Sequence, residues 1–146
     1  MDQATITTTR ILTWSGLIPF AGLAVVAMLD GPDWMALLLT AYAALILSFM
    51  AGTLWARHLL GESTHPRMLI ASNVLVLAAW PAILIPVHWA AAWLALLFAA
   101  HLMLEEPWRS YGLPGWYRRL RLAVSSAAIV LLLTGGLVGI GIGFHE

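Results

Sequence analysis

Five runs of apolar residues set the plan of the chain, at residues 10–29, 34–56, 68–85, 89–104 and 122–144. At about 1.5 Å per helical residue, four of them would extend about 27 to 35 Å and match the hydrocarbon core of a bilayer. The run at 89–104 reaches only about 24 Å and needs local thinning of the bilayer or a neighbouring helix. Polar punctuation separates the runs. Asp30, Gly31, Pro32 and Asp33 form a tight turn. Residues 57–67 form a polar connection, and Pro86, Val87 and His88 turn a hairpin, since one helix over 68–104 would be about 55 Å long. The pattern predicts an all-α fold: a polytopic integral membrane protein whose 146 residues make one five-helix transmembrane bundle.

Within the runs, small residues recur at helical spacing. Ala44, Ser48, Gly52 and Ala56 form one stripe, and Gly135, Gly139 and Gly143 form another. Such stripes let another helix approach closely, and in lipid van der Waals packing replaces the hydrophobic drive. Ser48, Gly52, Gly135, Gly139 and Gly143 are therefore the candidate packing residues, with a partner inside this chain or in a second copy. Pro19 falls inside the first run, where a kink or a packed neighbour is expected. A cleavable signal peptide competes with a retained first span, and retention is expected.

Residues 105–121, EEPWRSYGLPGWYRRLR, are the longest part of the chain that hydrocarbon cannot bury. Arg109, Arg118, Arg119 and Arg121 alternate there with Trp108, Tyr111, Trp116 and Tyr117. Aromatic rings beside guanidinium groups belong at a headgroup interface, so this segment reads as an interfacial loop. Five spans put that loop, the amino terminus and residues 57–67 on one side, together with every Arg of the chain. The positive-inside rule makes that side cytoplasmic, with the amino terminus inside and the carboxyl terminus outside a bacterial inner (plasma) membrane.

Composition agrees with the pattern: 62% hydrophobic and 10% charged residues lie far from the average of soluble domains. Net charge is zero and the cations gather at one end of the spans, which excludes a nucleic-acid face. The chain has no Cys and so no disulfide, thiol chemistry or covalent haem attachment. His58, Glu62 and His65 lack metal-ligand spacing, no nucleophile sits near a base, and no Gly-rich phosphate loop occurs. No catalytic, cofactor or metal site is expected. His101 and Glu105 are four residues apart on one helix face at the cytoplasmic end of the fourth run. They either pair structurally, with each other or with a nearby Arg, or hold the polar head of an amphiphile together with Asn73. The candidate lipid or amphiphile contacts are Asn73, His101, Glu105, Trp108, Trp116, Arg118, Arg119 and Arg121.

Four fragments carry a family resemblance: Gly16-Leu17-Ile18-Pro19-Phe20; Tyr42 with Ser48-Phe49, Gly52 and Trp55; Trp80; and Leu113-Pro114 with Trp116-Tyr117 and Leu120-Arg121. In that order the chain resembles uncharacterised bacterial membrane proteins related to mitochondrial transmembrane protein sixty-nine. The resemblance implies the membrane and the fold and carries no mechanism. Thr53 and Leu54 depart from the aromatic or basic residues the family leads one to expect beside Gly52 and Trp55.

Two functions remain open. One is an accessory, assembly or scaffold subunit acting by helix packing, with membrane lipids and other membrane subunits or its own copies as partners. The other is a binder of a lipid or quinone-like amphiphile between the helices. No ionisable residue lies deep in a span, which disfavours transport.

Overall fold

A computed structural model describes residues 2–29, 32–61, 66–105 and 114–138, and among these there is no strand. The helices are α1 (Gln3–Ser15), α2 (Leu17–Met28), α3 (Asp33–Leu59), α4 (Arg67–Ala79), α5 (Val87–Glu105) and α6 (Gly115–Val138), with a 3-10 segment, Trp80–Leu84, extending α4. Five stretches are long and apolar enough to cross a membrane: Gln3–Met28, Trp34–Leu59, Arg67–Leu84, Val87–Glu105 and Gly115–Gly136.

The first stretch is two helices because of Pro19. Proline offers no N–H to the carbonyl of Ser15 and its ring crowds that carbonyl, so the helix breaks at the residue after it, Gly16. The Gly16 carbonyl accepts a hydrogen bond from the Tyr42 hydroxyl at 2.9 Å, which fixes the break against α3. The expected kink and the expected packed neighbour therefore coincide. Pro81 acts similarly where α4 tightens into the 3-10 segment, and the Ala78 carbonyl just before it accepts from the Trp93 indole at 2.7 Å. At the end of α3, Gly61 takes φ 77°, a left-handed conformation suited to glycine, and its N–H donates to the His58 carbonyl at 3.1 Å.

Two boundaries differ from the sequence reading. Residues 3–9 are helical, capped by the Asp2 carboxylate, which accepts from the Thr5 N–H at 3.0 Å. Hydrogen bonding from Thr5, side chain first and backbone second, holds the Asp2 carboxyl below its ordinary range. Residues 115–121 belong to α6 instead of a loop. Polarity marks where hydrocarbon ends, but a helix continues until its backbone is interrupted. That interruption is Pro114, whose carbonyl accepts from Tyr117 N–H at 3.0 Å and Arg118 N–H at 3.2 Å.

Consecutive stretches run antiparallel. The Ser72 hydroxyl, early in α4, donates to the Ala51 carbonyl late in α3 at 2.8 Å, and Arg121, early in α6, meets Glu105 at the end of α5. α3 packs against α2, α4, α5 and α6, whereas α1 packs mainly against α2 and α6 and has no buried residue. The core runs between α2, α3, α5 and α6 through Phe20, Leu39, Leu47, Leu94, Phe98 and Leu132. Phe20 packs edge-on to both Tyr42 and Phe98, with ring centroids 5.2 and 6.4 Å away.

The glycines of α6 make the closest approaches. A Cβ at Gly135 would stand 3.1 Å from the Ala24 backbone and 3.0 Å from the Leu39 side chain, and one at Gly136 would stand 2.3 Å from the Ala91 side chain. Gly135 thus packs within the chain, and its unpredicted neighbour Gly136 is the tighter contact. Gly52 has no partner helix among the described residues of this chain: it is exposed, nothing lies within 4 Å of a Cβ there, and the Ser48 hydroxyl donates along its own helix to Ala44. Gly139 and Gly143 lie outside the described residues.

Candidate functional site

A buried polar cluster lies where the ends of α3 and α5 meet the start of α6. Its centre is the carbonyl of Met50, which accepts from the Thr53 hydroxyl at 2.7 Å and from His101 Nε2 at 3.0 Å. A carbonyl only accepts, so Nε2 carries a proton. His101 is fully buried, and its Nδ1 has no hydrogen-bond partner; the Glu105 Oε2 is 4.0 Å away, beyond hydrogen-bond range.

Glu105 turns instead to Arg121. Arg121 Nη2 donates to Glu105 Oε1 and Nε donates to Oε2 at 3.4 Å, a two-point pairing of side chains only 12% and 13% exposed. Nη2 also donates to the Thr53 hydroxyl at 3.3 Å, so the pair is tied to α3 as well as joining α5 to α6. A guanidinium has five N–H donors, and three are used here. Among the described residues Nη1 has no hydrogen-bond partner.

Beside this cluster opens a cavity of about 360 Å³. Its apolar walls come from Leu12 of α1, Leu17 and Phe20 of α2, Ile46, Phe49 and Met50 of α3, Phe98 of α5, and Val124 and Ala128 of α6. The polar lining residues are Thr9, Thr13, Tyr117, Arg121 and Ser125. The α6 members, Tyr117, Arg121, Val124, Ser125 and Ala128, recur at the spacing of one helix face. Thr9 and Thr13 direct their hydroxyls to carbonyls one turn back in α1, at 2.8 and 2.7 Å. Ser125 is 1% exposed and its hydroxyl has no partner. Leu12 and Phe49, 67% and 75% exposed, stand at the mouth of the cavity on the outer surface between α1 and α3.

The residues singled out from sequence are only partly brought together. His101, Glu105 and Arg121 meet, but His101 lies behind the cavity and does not line it. Asn73 is exposed on α4 and its amide donates to the Leu69 carbonyl at 2.9 Å, apart from the cluster. Trp116 is half-buried, edge-on to Tyr117 with centroids 5.7 Å apart, and the Arg10 guanidinium lies 5.4 Å from its ring centroid, fastening α1 to α6. Arg118 and Arg119 are exposed. Trp108 lies outside the described residues, as do Glu62 and His65 of the polar connection. Thr53, the Met50 carbonyl and the Tyr117 and Ser125 face of the cavity were not foreseen as one site. The spacing of Tyr117, Arg121 and Ser125 carried the signal, hidden by starting the fifth span at residue 122.

Five helices long and apolar enough to cross a membrane, packed around a cavity, fit a small multi-pass helical membrane protein. Over residues 5–137 the chain matches the family described as "Protein of unknown function (DUF3429)", and it belongs to that family. No curated protein and no solved structure matches it.

Proposed function

We propose that the protein binds a lipid or quinone-like amphiphile from the surrounding membrane, with the tail in the cavity between α1, α2, α3 and α6 and the head near Arg121 and Ser125. One observation carries this reading: the cavity is apolar along most of its wall, polar toward Arg121 and Ser125 of α6 and Thr9 and Thr13 of α1, and bordered by the exposed apolar side chains Leu12 and Phe49. A volume of about 360 Å³ is within the usual range of small-ligand sites. The role is binding, with neither catalysis nor transport. An accessory or scaffold role through the glycine face of α6 has less support, because Gly135 and Gly136 already contact α2, α3 and α5.

The proposal includes a bacterial inner membrane, with the end of the bundle that carries Arg57, Arg67, Arg118 and Arg119 in the cytoplasm. Kinship with mitochondrial transmembrane protein sixty-nine belongs to the same proposal and rests on the four sequence fragments.

Native mass spectrometry of the gently extracted full chain tests the binding. The expected result is one lipid or quinone retained at activation energies that strip bulk lipid, and lost in Ala128→Phe, which fills the cavity. A chain that never retains more than exchangeable bulk lipid overturns the proposal.

A further inference from the structure

The chemistry of the polar end narrows what the cavity accepts, taking as given that it binds an amphiphile. A free arginine in an apolar cavity would select an anion, such as a fatty-acid carboxylate or a lipid phosphate. Arg121 is not free, because Glu105 meets it through two nitrogens on the side facing α5. The pair is neutral as a unit, and adding an anion beside it would bring a second negative charge near Glu105 in a site largely closed to water. That arrangement is opposed by both desolvation and repulsion.

What remains on offer is hydrogen-bond donation. Arg121 Nη1 has no hydrogen-bond partner among the described residues, and Arg121 lines the cavity. One turn further along α6, Ser125 also lines it, 99% buried by its 1% exposure and with an unpartnered hydroxyl. A buried hydroxyl left unmade is costly, and a ligand acceptor would satisfy it. Donors one helical turn apart, beside an internally neutralised charge, fit the carbonyl oxygens of an uncharged head.

We infer that the site selects a neutral amphiphile bearing carbonyl acceptors, of the quinone or acylglycerol type, and that Glu105 excludes anionic lipids by neutralising Arg121. Glu105 is a specificity determinant in this scheme, and Ser125 is a direct ligand contact.

The test titrates the full chain, purified in nanodiscs of zwitterionic lipid at pH 8, with decylubiquinone, dioleoylglycerol and oleate separately. At least one neutral probe is expected to bind on the order of tenfold or more tightly than oleate. Which neutral probe binds distinguishes a quinone from a glyceride source. Ser125→Ala should weaken that probe by about two- to tenfold, the value of one hydrogen bond. The same variant should melt at an unchanged or higher temperature without ligand, since it removes an unsatisfied buried hydroxyl. Oleate binding as tightly as the tighter of the two neutral probes overturns the inference and leaves amphiphile binding standing. Unchanged affinity in Ser125→Ala overturns the assigned contact. Failure of all three probes, with Ala128→Phe indistinguishable from the native chain, overturns amphiphile binding itself.

Discussion

Glu105 is the last described residue of α5, and its carboxylate is only 13% exposed against the Arg121 guanidinium. Its placement makes sense only through Arg121, which lies across the α5–α6 junction and would otherwise be a nearly buried cation. Breaking such a pair from one side leaves an uncompensated charge. Glu105→Gln alone is expected to destabilise the chain by about 3 kcal/mol or more, while Glu105→Gln with Arg121→Gln recovers most of the loss. Thermal unfolding in mild detergent reads both, and a double variant as unstable as the single would show that the two charges act separately. From sequence, His101 and Glu105 were recognisable as neighbours because helical spacing alone puts them together. A pairing with a nearby Arg was also expected, but which Arg, and the backbone partner of His101, were not legible. The Met50 carbonyl is a backbone group with no side-chain signature, and Arg121 reaches Glu105 only because of how α5 and α6 pack.

Each element is shaped by a few backbone-determining residues. Pro19 and the number of spans were legible, because proline acts locally and apolar length is additive along the chain. The start of α6 was not, because charge was taken as the end of a helix when Pro114 is what ends it. The glycines divide similarly: four-residue spacing found Gly135, yet only the packed structure separates the crowded Gly136 from the open Gly52. Gly136→Val is expected to force α6 away from α5 at a cost of about 1 to 3 kcal/mol. Gly52→Val, in open space on α3, should leave the melting temperature within a few degrees of the native chain. Equal destabilisation by the two would mean that Gly52 faces a partner helix in the membrane. Tyr42→Phe removes the hydroxyl that holds the Gly16 break and should lower stability by about 1 kcal/mol, with faster proteolysis of α1.

Across the whole molecule, the arginines divide into two kinds of work. Arg121 is consumed within the bundle, and Arg10 lies over Trp116, while Arg118 and Arg119 are exposed at the same end. Each exposed cation near an anionic surface contributes about 1 kcal/mol of attraction. Arg118→Gln with Arg119→Gln should therefore reduce co-purifying anionic lipid and leave the cavity's neutral ligand in place, a separation that lipid mass spectrometry of the two preparations measures directly. Orientation follows from the same end of the bundle. Leu60, just after α3, and Leu29, just after α2, are 76% and 74% exposed and lie at opposite ends of the bundle. The chain has no Cys, so Leu60→Cys and Leu29→Cys each introduce a single thiol. If the arginine-bearing end is cytoplasmic, an impermeant maleimide added to spheroplasts labels Cys at position 29 at once and position 60 only after the membrane is opened. The reverse order would invert the bundle, and labelling of both from outside would break the alternation of five spans on which every placement of the cavity relative to the two leaflets depends.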